Sequence, residues 1–375
     1  MTTVYLDNAA TTPLLPGVIN VLKDVMTKEY GNPSSIHKMG REGRTIIEEC
    51  RKLVANQFAC SIGEIFFTGS ATESNNMVLL SAGMNDRMKN IIASPTEHPC
   101  VLNTVKFIEK KGWANCHWLR VDEKGYVDMD HLEELLNECE DVLVSVMYAN
   151  NETGLVQDVH AIGEKVKAHG GLFHCDAVQA AGHFQLELKP EHFDYVSMSA
   201  HKFHGPKGTG VLFMSGDSIL PPLIRGGAQE RNMRAGTENT HGIAGLAKAL
   251  DLSYQNLDEW RSHISSLRLK LMHGLQDLRD DFKFYGDPGS EDLYTVLNVG
   301  LPDHPKSEML VMLLDMEGIC ASGGSACSSG SQQGSHVIRA LNRGKEQPSV
   351  RFSFSHLNTA EEIDYTLEKM KKIYE

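Results

Sequence analysis

Seven short apolar runs between residues 64 and 215 constrain the fold more than any other feature of this sequence. Each run has the length of a β-strand and is apolar almost throughout, as is typical of strands covered on both faces of a sheet. Helical patterns separate several of the runs, which predicts an α/β domain built on a mostly parallel seven-stranded sheet. The predicted strands are 64–68, 90–95, 116–121, 141–148, 171–176, 194–199 and 210–215, and the predicted helices between them are 73–84, 98–111, 128–139 and 157–169.

The last two of these strands are joined by only about ten residues, too few for a helical crossover, so we predict that they pair antiparallel. After residue 240 the pattern changes to a long helical stretch over 241–280 with few strands, which predicts a smaller α+β domain. A chain of 375 residues is long enough for two cores. We therefore assign residues 14–250 to a large domain, and residues 1–13 and 251–375 to a small one.

Composition excludes several classes of partner. The formal net charge is −13 and no dense block of Lys or Arg occurs, so neither nucleic acid nor an anionic membrane is expected as the primary partner. The longest apolar runs are shorter than the ~20 residues that a membrane span needs. The first residues, MTTVYLDNAATTPLLP, contain neither a basic n-region nor an apolar h-region. We expect a cytoplasmic protein.

The cysteines show no spacing typical of a metal site. The eight of them include no C-x-x-C pair, so we predict no bound metal and no disulfide framework. Cys327 differs from the others in its context, because every other residue from 321 to 335 is Gly, Ser, Ala or Gln. Such a segment has almost nothing to bury, which predicts a mobile loop. By itself, a thiol in such a loop is as readily an incidental surface cysteine as a reactive one.

Polar side chains follow several predicted strands, at the carboxyl ends where open α/β sheets bind ligands. Each has an ordinary structural interpretation when taken alone, but together they place an acid, two imidazoles, an amide and an amine at one edge of one sheet. The Gly/Ser turn at 69–72 opens a helix and fits either a phosphate cradle or an ordinary capped turn. The strand-end residues are Glu97, His98, Asn150, Asn151, Glu152, Asp176, Gln179, Ser199, His201 and Lys202.

Lys202 is the most informative of these residues, because it follows directly on a buried strand. Burial lowers the pKa of a lysine, as a Schiff-base amine requires. An aldehyde cofactor held by such an amine also needs a carboxylate at its pyridinium nitrogen, a ring over its face and a phosphate cup. Asp176, His98 and the 69–72 turn are suited to these three tasks, which predicts pyridoxal phosphate as the cofactor.

Ten motifs follow one another along nearly the whole chain: VYLDNAATT (4–12), GNPSSIH (31–37), GSATESNN (69–76), TEHPCVL (96–102), NNETG (150–154), CDAVQAAG (175–182), SMSAHKFHGPKG (197–208), GGAQERNMRAGTEN (226–239), SGGSACSSGS (322–331) and SVRFS (349–353). Through these motifs the sequence resembles the cysteine desulfurases, the NifS/IscS-like branch of the class V aminotransferases. The resemblance implies the pyridoxal-phosphate fold type I, with a large domain and a smaller α+β domain. It also implies a homodimer.

The resemblance also implies a role for individual residues. Lys202 would hold pyridoxal phosphate covalently, Asp176 would pair with its pyridinium nitrogen, Gln179 with its ring oxygen, and His98 would stack on the ring. Asn151 and Arg351 would bind the L-cysteine substrate, and Cys327 would be the nucleophile that removes its sulfur. The implied phosphate contacts are Ala71, Thr72, Ser199, His201 and, from the partner subunit, Thr237.

A persulfide on Cys327 would then pass to an acceptor protein, an iron–sulfur scaffold or a tRNA-thiolation enzyme. A Gly/Ser segment suits that task, because the thiol must reach both the substrate and the acceptor. Selenocysteine lyase remains an alternative, as does another class V activity, although an aminotransferase has no use for a mobile thiol. A non-catalytic relative is disfavoured, because Lys202, Asp176 and Cys327 are all present.

Overall fold

The computed structural model of the protein describes residues 3–84, 88–216, 218, 220–289, 292–323, 334–341 and 348–375. Its strands are β1 Val4–Tyr5, β2 Ile65–Thr68, β3 Asn90–Ala93, β4 Asn115–Trp118, β5 Val142–Ser145, β6 Leu172–Asp176, β7 Tyr195–Ser199, β8 Gly210–Met214, β9 Lys283–Tyr285, β10 Val296–Gly300, β11 Ile319–Cys320 and β12 Ser349–Ser353. Its helices are α1 Pro16–Lys28, α2 Lys38–Gln57, α3 Ala71–Gly83, α4 Pro99–Lys111, α5 Met129–Glu138, α6 Val159–Ala168, α7 Thr240–Gln255, α8 Leu257–Leu278, α9 Leu310–Met316, α10 His336–Leu341 and α11 Ala360–Tyr374.

The seven predicted strands form one sheet in the order β2-β8-β7-β6-β5-β3-β4. All pairs are parallel except those that β8 makes with β2 and β7. The predicted α/β class, the mostly parallel seven-stranded sheet and the antiparallel pairing of the last two strands are therefore confirmed. Because β8 runs against both of its neighbours, β2 and β7 point the same way, and six strands end at one edge of the sheet.

Helices cover both faces of this sheet. Along β2, Ile65 and Phe67 pack on one face and Phe66 packs on the other, as the alternation of side chains along a strand requires. Helices α2, α5, α6 and α7 contribute to the core on the first face, whereas α3 and α4 contribute to the core on the second. The prediction that all seven strands are covered on both faces is wrong for β4, an edge strand whose residues are exposed or half-buried, whereas β2 at the other edge is buried.

A second core lies outside the large sheet. It includes residues of β1, α8, β10, β12 and α11. Strand β10 pairs antiparallel with both β9 and β12, and β1 pairs parallel with β11 across more than 300 residues of sequence. An α+β arrangement thus follows the large sheet, while the exact domain boundaries at residues 14 and 250 remain a prediction.

Two parts of the helical pattern differ from expectation. The stretch 241–280 is two helices, because Asn256 has non-helical backbone angles between α7 and α8. Helices α1 and α2 were not predicted. The buried side of α2 includes Gly40, Gly43 and Arg51, so it lacks the continuous apolar stripe from which a helix is recognised. Among the helices of the described ranges, none combines the length and the apolar character that crossing a membrane would require.

Candidate active site

A cavity of about 260 Å³ opens at the carboxyl edge of the large sheet. It brings together the residues to which the resemblance assigns a role, except Thr237 and Cys327, whereas the strand-end candidates Glu97, Asn150 and Glu152 do not line it. Thr237 is exposed and is not among the residues that line the cavity of its own chain, and Cys327 lies outside the described residues. The lining residues are Ala9, Ala10, Ser70, Ala71, Thr72, His98, Cys100, Met147, Asn151, Asp176, Val178, Gln179, Ser199, His201, Lys202 and Arg351.

The first turn of α3 forms one end of the cavity. Ser70 caps the helix, because its side chain accepts a hydrogen bond from the amide of Glu73 at 3.2 Å. Ala71 and Thr72 are the first two residues of the helix, whose amides have no acceptor within it. Together with the positive end of the helix dipole, these amides suit a bound phosphate.

Asp176 is the last residue of β6 and is buried. Its carboxylate accepts hydrogen bonds from Asn75 Nδ2 at 2.7 Å and from the amide of Val178 at 3.1 Å. Asn75 is fixed in turn, because its Oδ1 lies 3.1 Å from Nε2 of His174. Burial lowers the pKa of His174 to about 3, so this ring is neutral at pH 7. Asn75 and His174 thus position Asp176, a role that the sequence analysis did not foresee.

His98 lies just before α4 and caps it, accepting a hydrogen bond from the amide of Cys100 at 3.2 Å. Burial is the main cause that lowers the pKa of His98, with smaller contributions from Lys202 and His336, while Asp176 opposes the shift. The ring is therefore neutral at pH 7. Cys100 also lines the cavity, but burial and then Asp176 raise the pKa of its thiol to about 12, so it stays protonated.

Lys202 follows β7 and meets the N-terminal segment of the chain. Its Nζ donates hydrogen bonds to the carbonyl oxygens of Ala9 at 2.7 Å and Ala10 at 2.8 Å. Gln179 Nε2 donates to the same Ala9 oxygen at 3.1 Å. The sequence does not indicate that this segment belongs to the site, because residues 9 and 10 act through backbone oxygens that alanine side chains do not reveal.

His201, next to the lysine, also contacts the N-terminal segment. Its Nδ1 lies 3.2 Å from the hydroxyl oxygen of Thr11. Burial, followed by the charges of Lys202 and Lys207, lowers the pKa of His201 to about 4. At neutral pH its ring is therefore uncharged and carries a single N–H.

Arg351 reaches the cavity from β12, in the second core, and is 1% exposed. Its Nη1 donates to the carbonyl oxygen of Asn151 at 2.8 Å and its Nη2 to Asp7 Oδ1 at 2.9 Å. Among the described residues its Nε has no acceptor. A buried guanidinium that keeps a free donor is suited to binding a carboxylate.

These groups fit pyridoxal phosphate by their chemistry. A carboxylate held by two donors lies at the end of β6, a primary amine follows β7, and a neutral imidazole and the amides of a helix N-terminus line the same cavity. Within the described residues, no group of three or more His, Cys, Asp or Glu side chains is placed to bind a metal ion.

Comparison with known proteins places the chain in a family. The model of the family "Aminotransferase class-V" matches residues 4–366. The chain belongs to the class V aminotransferases. Within that family it lies in the NifS/IscS-like branch, so the resemblance found in the sequence is confirmed.

Relatives in this branch match the whole chain. "Cysteine desulfurase IscS" of Dictyoglomus turgidum is 39% identical over 99% of this chain and 94% of its own length. "Putative cysteine desulfurase IscS 1" of Bacillus subtilis is 40% identical over 97% of this chain and 96% of its own length. The solved structure of a "NIFS-LIKE PROTEIN" covers 100% of this class V chain with a TM-score of 0.91 at 38% identity, and 99% of that structure is matched.

Proposed function

We propose that this class V protein is a pyridoxal-phosphate-dependent cysteine desulfurase, which converts L-cysteine to L-alanine and takes the sulfur onto Cys327. The observation that carries the proposal is one cavity lined by the amine of Lys202, the carboxylate of Asp176 and the guanidinium of Arg351. Relatives that match almost the whole chain bear the name cysteine desulfurase, which supports the same activity here.

The residues that would hold the cofactor line the cavity from end to end. Lys202 would bind it covalently, Asp176 its pyridinium nitrogen and Gln179 its ring oxygen. The first turn of α3, through Ala71 and Thr72, would take its phosphate together with Ser199 and His201. When bound, pyridoxal phosphate withdraws electrons from the α-carbon of an amino acid and so makes its proton acidic.

The remaining work falls to side chains of this protein. Arg351 binds the substrate α-carboxylate, assisted by Asn151, and thereby fixes the orientation of the α-carbon. Lys202 carries the α-proton away and returns it. His98, neutral because its pKa is lowered, would cover the ring of the cofactor.

Cys327 completes the reaction as a thiolate. It attacks the sulfur of the bound L-cysteine, so that a new S–S bond forms while the C–S bond breaks. The electron pair of the broken bond stays with the β-carbon, which takes up a proton and becomes the methyl group of L-alanine. The product on the protein is a persulfide on Cys327, ready for exchange with another thiol.

We further propose that the persulfide passes to an acceptor protein, an iron–sulfur scaffold or a tRNA-thiolation enzyme, and that the enzyme is a homodimer. In the dimer, Thr237 of the partner subunit would touch the cofactor phosphate. The exposure of Thr237, and its absence from the described lining of its own cavity, support that arrangement.

The test compares single variants of the purified enzyme. Cys327→Ala should keep the yellow colour of the bound cofactor but form L-alanine from L-cysteine about 100-fold more slowly or not at all, since no nucleophile remains for the sulfur. Lys202→Ala should lose the colour of the lysine-bound cofactor. Cys60→Ala, which removes a half-buried thiol that does not line the cavity, is the matched control. Near-normal L-alanine formation by Cys327→Ala would refute the proposal.

A further inference from the structure

Asp7 already binds the arginine to which we assign the substrate carboxylate. Its Oδ1 accepts from Arg351 Nη2 at 2.9 Å, in an ion pair in which the arginine side chain is 1% exposed and the aspartate side chain 20%. Asp7 reaches this position from the N-terminal segment, 344 residues away along the chain. The same segment supplies the two carbonyl oxygens that hold Lys202.

The charge balance at Arg351 makes this contact important for binding. One guanidinium and one carboxylate neutralise each other, and the other polar groups on the pair are uncharged, namely the carbonyl oxygen of Asn151 and the hydroxyl of Ser322. A substrate carboxylate entering beside Asp7 would bring two negative charges to one buried cation, and an excess buried charge is strongly unfavourable. An incoming carboxylate can meet the Nε of Arg351, which has no acceptor among the described residues, but it competes with Asp7 for the charge of the guanidinium.

Ser322 also contacts this carboxylate oxygen of Asp7. Its hydroxyl donates to Asp7 Oδ1 at 2.8 Å, and its backbone pairs with that of Arg351 in an antiparallel bridge. Asp7 is thus held by two side-chain donors, Arg351 and Ser322.

We propose that Asp7 is a specificity-determining residue, whose carboxylate competes with the α-carboxylate of the substrate for Arg351. This inference rests on the proposed function, since it takes Arg351 as the carboxylate site. An amine without a carboxylate cannot displace Asp7, and a weak carboxylate ligand does so only at high concentration. Asp7 in this way sets how strongly the site favours α-amino acids and how readily it releases L-alanine.

The test measures binding rather than turnover. The cofactor-loaded enzyme is titrated in a calorimeter with L-alanine and, separately, with L-alaninamide. In L-alaninamide a neutral amide replaces the carboxylate. Asp7→Asn removes the competing charge and keeps the shape of the side chain. We expect it to bind L-alanine about tenfold more tightly, which corresponds to about 1.4 kcal/mol. Its affinity for L-alaninamide should change much less.

A purely positioning role for Asp7 predicts a different change in the affinity for L-alanine. If Asp7 only orients Arg351, Asp7→Asn would bind L-alanine more weakly or equally well, and the proposal would be wrong.

Two controls separate this inference from the function on which it rests. Arg351→Gln should bind L-alanine and L-alaninamide about equally, and a retained preference for L-alanine would show that Arg351 is not the carboxylate site and so overturn the inference. Formation of L-alanine from L-cysteine by the unmodified enzyme is assayed in parallel. Failure of that assay refutes the proposed function, whereas normal activity with weakened L-alanine binding in Asp7→Asn refutes only the role of Asp7.

Discussion

At the scale of single residues, Gly182 shows how closely the chain is packed behind Lys202. Its φ of +79° lies in the left-handed region, and a Cβ at this position would be 2.5 Å from Cβ of Phe203, the buried residue after Lys202. Gly170 offers a matched comparison, with a φ of +73° and no atom within 4 Å of its added Cβ. The two glycines share a backbone conformation and differ in their surroundings.

Alanine substitutions should separate the cost of left-handed backbone strain from the cost of steric overlap with Phe203. Gly170→Ala should lower the free energy of unfolding by about 1 kcal/mol, the strain of a left-handed alanine. Gly182→Ala should lower it by about 3 kcal/mol or more, because overpacking against Phe203 adds to the same strain. Urea denaturation of both variants measures the difference. Equal losses would mean that Phe203 moves aside without cost.

At the scale of elements, the start of α10 is bound to Glu152 and Glu97, each of which adjoins a residue that lines the cavity. Ser335 Oγ accepts a hydrogen bond from the amide of Ile338 at 3.1 Å and donates one to Oε2 of Glu152, which is fully buried. The next residue, His336, bonds through Nε2 to the carbonyl oxygen of Glu97 at 2.9 Å. These contacts hold Ser335 and His336 in place. Both residues lie close to residue 334, the first that the structure describes after residue 323.

Removing the hydroxyl of Ser335 should therefore destabilise this element twice over. Ser335→Ala removes the side-chain cap of α10 and leaves both oxygens of Glu152 without a partner among the described residues, since Oε1 already has none. We expect the free energy of unfolding to fall by about 1–3 kcal/mol. Ser335→Thr keeps a hydroxyl and should retain most of the stability. Similar losses in the two variants would show that the hydroxyl is not what matters.

At the scale of the whole molecule, three histidines lie where residues of the large domain meet those of the second core. The ring of His204 lies 4.8 Å from that of His356, which stacks on Trp260 of α8 at 3.7 Å, and His183 bonds to Tyr294 at 3.3 Å. Burial is the main cause that lowers the pKa of all three rings, to about 4 for His183 and His356.

These shifts predict that acid weakens the fold. Between about pH 6.5 and pH 4 the unfolded chain binds protons at these histidines and the folded chain does not, so the free energy of unfolding falls as the pH falls through that window. We expect a loss on the order of 2 kcal/mol from each of His183 and His356 between pH 7 and pH 5. His356→Gln should lose less over the same interval, as measured by urea denaturation at the two pH values. Parallel pH profiles for the variant and the unmodified protein would contradict this account.

Local patterns along the chain were enough to predict the large sheet and to group most residues of the candidate site at one edge of it. Apolar runs and helical spacing are local properties, and they located all seven strands. Lys202, Asp176 and His98 were predicted to lie together because each follows a strand, and parallel strands end at one edge of a sheet. That inference needs only the order of elements along the chain, which is why it succeeded without contacts.

Only the tertiary structure decided which distant groups complete the site. Asp7, Ala9 and Ala10 reach Arg351 and Lys202 because β1 pairs with β11 and carries the N-terminal segment across the cavity. No local pattern encodes that path, since a backbone oxygen looks the same in every sequence. The exposure of β4 at the sheet edge was likewise beyond prediction. Both features depend on which elements pack against each other. Buried backbone groups need hydrogen-bond partners, and for distant segments those partners come together only when the whole chain folds.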